Sequence, residues 1–268
     1  MLALIAGQGA LPSVLVERLS QRPFVAAVEG HIPDDVAPDM VFRLETLGSL
    51  IETFQSRGIT QVCFAGAITR PEVDPSRIDA ATAPLIPQIT AALQKGDDGA
   101  LRVVLSLFEE AGISIVSAVD ICPDLLPKPG VITQRQPTLD HRADAARASG
   151  MMDGIGAFDI GQSCVVHKGQ VLVIEGKFGT EWMLGTLARR PDGPGGVFYK
   201  AAKPDQDRRV DVPVVGPRTV AQVANAGLDG LVVQGGGVII LQYDDVVRRA
   251  NEAGLFLWVR DPDDPDSV

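Results

Sequence analysis

Lys200, Lys203, Asp205, Asp207, Arg208, Arg209 and Asp211 crowd one short stretch, residues 200–216, whose flanks are apolar. Both charge signs packed between ordered elements suit the holding of an anion. Lysine and arginine meet phosphate oxygens, and aspartate holds a metal ion against them. A solvated, turn-rich loop has the same composition. Asp211 sits between Val210 and Val212-Pro213, a context that favours extended, stiff chain. Its carboxylate could hold magnesium or orient a water, or simply pair with Arg209. Asp211, Lys203 and Arg209 are the candidate catalytic groups, with Lys200 beside them as a substrate contact.

Glycine turns supply the other candidates. Gly7-Gln8-Gly9 closes an apolar run, and Gly66 opens a turn that continues through Thr69 and Arg70 to Pro71. Such turns let a phosphate or nucleotide approach the backbone. The dinucleotide pattern is incomplete, because Pro12 stands where a third glycine is expected. Arg70 is extended by the proline after it and either projects into the same crevice or lies on the surface. Lys95, Asp97 and Asp98 stand at a helix start. They suit phosphate bound through a metal, and either aspartate also suits an N-cap. No Gly-x-Ser-x-Gly elbow or His-Glu-x-x-His helix occurs. Gly176-Lys177 is followed by Phe178 rather than the serine or threonine of a P-loop, and the three histidines are well separated. The remaining inventory suits phosphate-ester or pyrophosphate chemistry with magnesium, where positioning and charge neutralisation do most of the work.

These residues need elements to place them. Leu2–Ala6, Phe24–Val28, Gln61–Ala65 and residues 113–119 read as strands, alternating with amphipathic helical stretches at 11–19, 47–54 and 101–111. That alternation implies a parallel sheet with helices on its faces. Ligands of such sheets lie beyond the C-terminal strand ends, where both glycine turns would stand. Residues 122–137 are proline-rich and read as a connector. The second half differs. Ser163–His167 and 170–175 form a hairpin over Lys168-Gly169, Thr180 would cap a helix running to Leu187, and Pro217 would open another. The fold class is therefore α/β, with a Rossmann-like, parallel-sheet domain over 1–130 and a distinct α/β domain over 136–268, joined within 125–137. The ligand is expected in the cleft between them.

A chain of 268 residues with 46% hydrophobic and 22% charged residues is globular. A net charge of -10 argues against nucleic acid as a partner. Cys63, Cys122 and Cys164 have neither zinc nor disulfide spacing, which fits a reducing cytoplasm. The N-terminus lacks a signal peptide's basic region. No apolar run is long enough to span a bilayer, so any membrane contact is peripheral.

Six motifs stand out in the chain: 4–12 (LIAGQGALP), 64–71 (FAGAITRP), Lys95-Gly96-Asp97-Asp98, Asp159-Ile160-Gly161-Gln162, Glu175 with Gly179-Thr180, and Lys203-Pro204 through Asp211-Val212-Pro213 to Gly216. In this order and spacing they together resemble the UDP-2,3-diacylglucosamine pyrophosphatases of the LpxI type. The resemblance spans nearly the whole length. It implies magnesium-assisted hydrolysis of the substrate's pyrophosphate to UMP and 2,3-diacylglucosamine 1-phosphate (lipid X) in lipid A biosynthesis. It further implies Gly179 and Thr180 as substrate contacts, Asp211, Glu175 and Glu181 as metal ligands, and a peripheral place at the inner membrane; a homodimer stays open. Phe178, Glu181 and Gln234 depart from the family pattern, and a homologue that binds lipid or nucleotide-sugar without hydrolysis is the alternative. A nicotinamide oxidoreductase is a third reading, weakened because only Glu29 lies near the end of the second strand. Phe178, Trp182 and Met183 are candidates for an acyl-chain groove.

Overall fold

The computed structural model describes residues 1–68, 73–93, 97–156, 158, 160–204 and 206–264, with the backbone alone at 91–93, 97, 98 and 100. The chain divides into two units. One comprises Met1–Pro123 with Asp207–Asp211, the other Asp124–Gln206 with Val212–Val268.

In the first unit β1 (Leu2–Ala6), β2 (Phe24–Val28), β3 (Met40–Phe42), β4 (Gln61–Ala65) and β5 (Ser114–Ile115) form a parallel sheet in the order β3-β2-β1-β4-β5. Helices α1 (Leu11–Arg18), α2 (Leu47–Ser56), α3 (Ile86–Leu93), α4 (Asp97–Glu110) and α5 (Ala118–Ile121) belong to the same unit. Parallel strands need cover on both faces, so β1 and β2 are almost wholly apolar and buried. Phe54 on α2 anchors one side, its ring 5.8 Å from Phe24 and 5.9 Å from Phe108. Strand order reverses between β1 and β4, so the crevice that ligands favour opens beside the turns after those two strands. The strand expected at 113–119 stops at Ile115. Ser117 takes the Asp120 amide, and the Asp120 carboxylate takes the Ser117 amide, a reciprocal cap that starts α5 instead.

The second unit carries a mixed six-stranded sheet ordered β6-β13-β11-β9-β7-β8. Its strands are β6 (Gly130–Val131), β7 (Ser163–His167), β8 (Gln170–Ile174), β9 (Val197–Lys200), β11 (Gly230–Gln234) and β13 (Phe256–Arg260). β9, β11 and β13 are parallel, whereas β7 runs against β9, β8 against β7 and β6 against β13. A two-stranded sheet joins β10 (Val214–Val215) to β12 (Ile239–Ile240). Helix α6 (Leu139–Gly156) covers one face, and its Ala145, Ala148 and Met152 pack with Cys164, Tyr199 and Trp258. Helices α7 (Gly179–Thr186), α8 (Pro217–Asn225) and α9 (Tyr243–Glu252) supply Met183, Val220 and Val246 to the other core, with Val165, Phe198 and Leu257. The hairpin between β7 and β8 turns on Lys168 and Gly169, both at positive φ. Their amides donate to the buried Asp144 carboxylate at 3.0 and 2.6 Å. The connector expected over 122–137 contains β6, which closes the sheet against β13. The architecture is the expected α/β class, a parallel five-stranded sheet and a separate mixed one.

Candidate functional site

The second unit gathers polar side chains along one edge of its sheet. Ser163 opens β7 opposite Lys200, the last residue of β9; Glu175 follows β8; Gln234 ends β11 opposite Arg260, the end of β13. Alternation along the strands divides them between the faces. Ser163 and Lys200 lie on the face that carries α7. Ser163 is fully buried and its hydroxyl donates to Glu175 Oε2 at 2.5 Å. The Glu175 amide donates to the Ser163 carbonyl at 2.8 Å. Gly161 is confined as well: a Cβ there would lie 2.1 Å from the Glu175 carbonyl oxygen, and its φ is +48°. The glutamate is thus fixed by backbone and side chain together. Lys200 is only 8% exposed, unusual for lysine, and its Nζ donates to Thr180 Oγ1 at 3.1 Å. Thr180 is not the N-cap expected from sequence. Phe178 holds that position, and α7 begins at Gly179, so the Thr180 hydroxyl in the first turn is available to Lys200.

Other candidates in this unit stand apart from that pair. Glu181 is exposed and paired with Arg218. The Lys203 amide donates to Gln206 Oε1 at 3.0 Å, and the Ala202 amide to Gln234 Oε1 at 3.2 Å. Side-chain amides therefore shape the loop after β9. The acyl-groove candidates separate: Met183 is core, whereas Phe178 and Trp182 are exposed with their rings 5.2 Å apart.

In the first unit the two glycine turns are packed against each other. The Gly7 amide donates to Ala65 O at 2.8 Å, and Gln8 and Ala67 exchange amide hydrogen bonds at 3.0 and 2.8 Å. A Cβ on Gly7 would lie 2.5 Å from Ala67 O, and one on Gly66 2.7 Å from the Gly7 carbonyl. Both glycines are demanded by this approach, which occupies the Gly7 and Gln8 amides that a phosphate cradle would need. Gly9 differs. Its φ is +94°, nothing lies within 4 Å of a Cβ built there, and its amide donates to Asp34 Oδ2 at 3.1 Å.

The segment Asp207–Asp211 corrects one expectation. It is a turn, not extended chain: Asp207 O accepts from the amides of Val210 and Asp211 at 3.1 and 3.0 Å. Arg209 is held by Asp207 at 2.7 Å and by Glu109 on α4 at 2.6 Å. Its hydrogen bond to Asp207 keeps that carboxyl below the usual range. Asp211 is exposed. Thr69, Arg70 and Lys95 lie outside the described residues, as do the side chains of Asp97 and Asp98. Burial pushes the Cys63 and Cys164 thiols up to about 12, which removes both as nucleophiles near neutral pH.

Two family models cover this architecture, that of the LpxI N-terminal domain at residues 1–125 and that of the LpxI C-terminal domain at 128–258. The chain belongs to the LpxI family. A full-length relative agrees: it is 34% identical over 273 residues to a UDP-2,3-diacylglucosamine pyrophosphatase LpxI of Caulobacter vibrioides, covering 97% of this chain and 98% of that protein. In LpxI terms, Gly7, Gln8, Gly9 and Gly66 fall in the N-terminal domain. Glu175, Gly179, Thr180, Glu181, Lys200, Lys203, Arg209 and Asp211 fall in the C-terminal one.

Among the described residues, no group of three or more His, Cys, Asp or Glu side chains is assembled for a metal. Magnesium does not require one, because it binds through one or two carboxylates, substrate phosphates and water. Glu175, with Oε2 held by Ser163 and a second oxygen remaining, and the exposed Asp211 are hard oxygen donors that fit. Glu181 is committed to Arg218. Ser163 was missed in the sequence because a serine opening an apolar strand carries no signal of its own; only the register of β7 against β8 reveals its partner. No helix among the described residues is long and apolar enough to cross a membrane.

Proposed function

We propose that this chain hydrolyses the pyrophosphate of UDP-2,3-diacylglucosamine, yielding UMP and 2,3-diacylglucosamine 1-phosphate with magnesium, as a step of lipid A synthesis. The observation that carries this reading is the near full-length relationship to a protein named for that activity. Lys200, at the end of β9, and Thr180, in the first turn of α7, bind an anionic oxygen of the substrate; a helix N-terminus and a buried ammonium both favour negative charge. Lys203 contributes a second positive charge. Asp211 orients the attacking water. Arg209, its fork occupied by Asp207 and Glu109, fixes the turn that carries Asp211 rather than touching the pyrophosphate. Magnesium, when bound, would neutralise pyrophosphate charge; Glu175 is a side chain of the second unit suited to hold it, and Asp211 is one of the first. Water adds its oxygen to phosphorus, the bridging P–O bond breaks, and both products leave as phosphomonoesters.

The test is release of UMP from the diacylated UDP-sugar by purified protein with magnesium, and its arrest by chelator. Tight binding of the nucleotide-sugar without UMP release would identify a binding homologue instead.

A further inference from the structure

An acid close to the end of β2 is what a Rossmann-like sheet uses to meet a ribose. Glu29, the nearest in sequence, is engaged by Arg43 at 2.9 Å. The loop after β2 brings a different acid to the place. Asp34 Oδ2 accepts the Gly9 amide at 3.1 Å across 25 residues of sequence. Three independent features meet here. The strand order reverses between β1 and β4, which puts the crevice beside the turn after β1. The space over Gly9 is open, with nothing within 4 Å of a Cβ built on it. Asp34 itself is exposed, so the amide fixes one oxygen while the carboxylate keeps its remaining acceptor sites toward solvent.

We infer that Asp34 is the acceptor for the ribose 2′- and 3′-hydroxyls of the substrate's nucleoside, positioned by Gly9. Two adjacent hydroxyls donating to one carboxylate match a vicinal diol, and in a diacylated UDP-sugar ribose offers one. The neighbouring Asp35 has no such tie among the described contacts and serves as a control. The inference rests on the proposed uridine-nucleotide substrate.

The experiment is calorimetric titration of the full-length protein with UMP and with 2′-deoxy-UMP. A hydrogen bond to a charged group is worth ~1.5–3 kcal/mol, so the wild type is expected to prefer UMP by about ten- to a hundredfold. Asp34→Ala should bind both nucleotides within about twofold of each other, at the deoxy affinity. Asp34→Asn keeps an acceptor for Gly9 and should retain an intermediate preference, while Asp35→Ala should keep the full one. Because Asp34 is exposed, melting temperatures should match within a degree or two. Undiminished preference in Asp34→Ala overturns the inference. So does a wild type that hydrolyses the diacylated UDP-sugar yet treats the two nucleotides alike, and there the activity still stands. A wild type that neither hydrolyses that sugar nor binds either nucleotide overturns both readings.

Discussion

Ser163→Ala separates a structural from a functional role for the sheet edge of the second unit. The substitution deletes one buried hydroxyl, whose hydrogen bond to Glu175 measures 2.5 Å. Bonds to charged groups contribute about 1.5–3 kcal/mol. Glu175 is only partly buried and recovers water when released, so the stability loss should fall at or just below the lower end of that range, about 1–1.5 kcal/mol. For a chain of this size that is about 2–6 °C in melting temperature. The catalytic effect should be larger. Loss of a residue that orients a metal-holding side chain typically costs about 10–100-fold in affinity or activity. The expectation is therefore a comparable fall in turnover, with a raised magnesium requirement. The assay is UMP release across a magnesium titration, read beside the thermal melt of the same variant. In a Glu175→Gln background, Ser163→Ala should lower turnover no further, because the serine acts through the glutamate. A variant that melts early but keeps wild-type turnover and magnesium dependence would refute the reasoning and leave Ser163 as a packing bond of β7.

Asp211→Ala should lower turnover by about a thousandfold or more, the scale of losing a group that acts in the transition state. Its melt should move by no more than a degree or two, since an exposed carboxylate contributes little to stability. Gly66→Ala forces a Cβ to within 2.7 Å of the Gly7 carbonyl at a φ of +95°. It should cost about 2–4 kcal/mol, read as a lowered urea midpoint. Asp229→Asn should show a pH-dependent loss of stability. Burial pushes the Asp229 carboxyl up, but hydrogen bonds from Arg135 and the Gly196 amide and the charge of His141 outweigh it and hold it below the usual range. A depressed carboxyl stabilises the fold fully above its unfolded value of about 3.9 and stops doing so as pH falls through the lower folded value. The gap in urea midpoint between wild type and Asp229→Asn should be complete at neutral pH and close below about pH 4; a gap of constant size would show that titration plays no part.

What could be read in the sequence followed the strength of local signals. β1, β2 and β4 are short apolar runs, and in β1 and β4 the run meets a glycine turn, so both position and polarity are local. The α/β class follows from their alternation with helices. Residues 113–119 misled because the apolar run continues past the point where the Ser117–Asp120 cap starts a helix, and a reciprocal cap outranks a strand pattern two residues long. Thr180 was drawn as a cap because threonine suits one, yet the contact that decides its role comes from Lys200, distant in sequence. The same holds for Ser163 and Asp34, whose partners are set by strand register and by a loop crossing back over the first turn. Neither is visible to periodicity. The charged stretch reads as one loop in the sequence, whereas Asp207–Asp211 groups with the first unit and is a turn.

That turn has a physical logic. Arginine and aspartate concentrated in one short stretch invite the view that every charge faces a ligand. Arg209 shows otherwise: its guanidinium reaches Glu109 through Nη1 and Asp207 through Nε and Nη2, and a planar fork is the one side chain able to hold two carboxylates in fixed directions. Each pair is partly exposed and contributes only modestly to stability. Together with the two amide bonds to Asp207 O, they set the backbone at Asp211 before any ligand arrives. Orientation settled during folding does not have to be supplied again when substrate binds, and effective molarity rises accordingly.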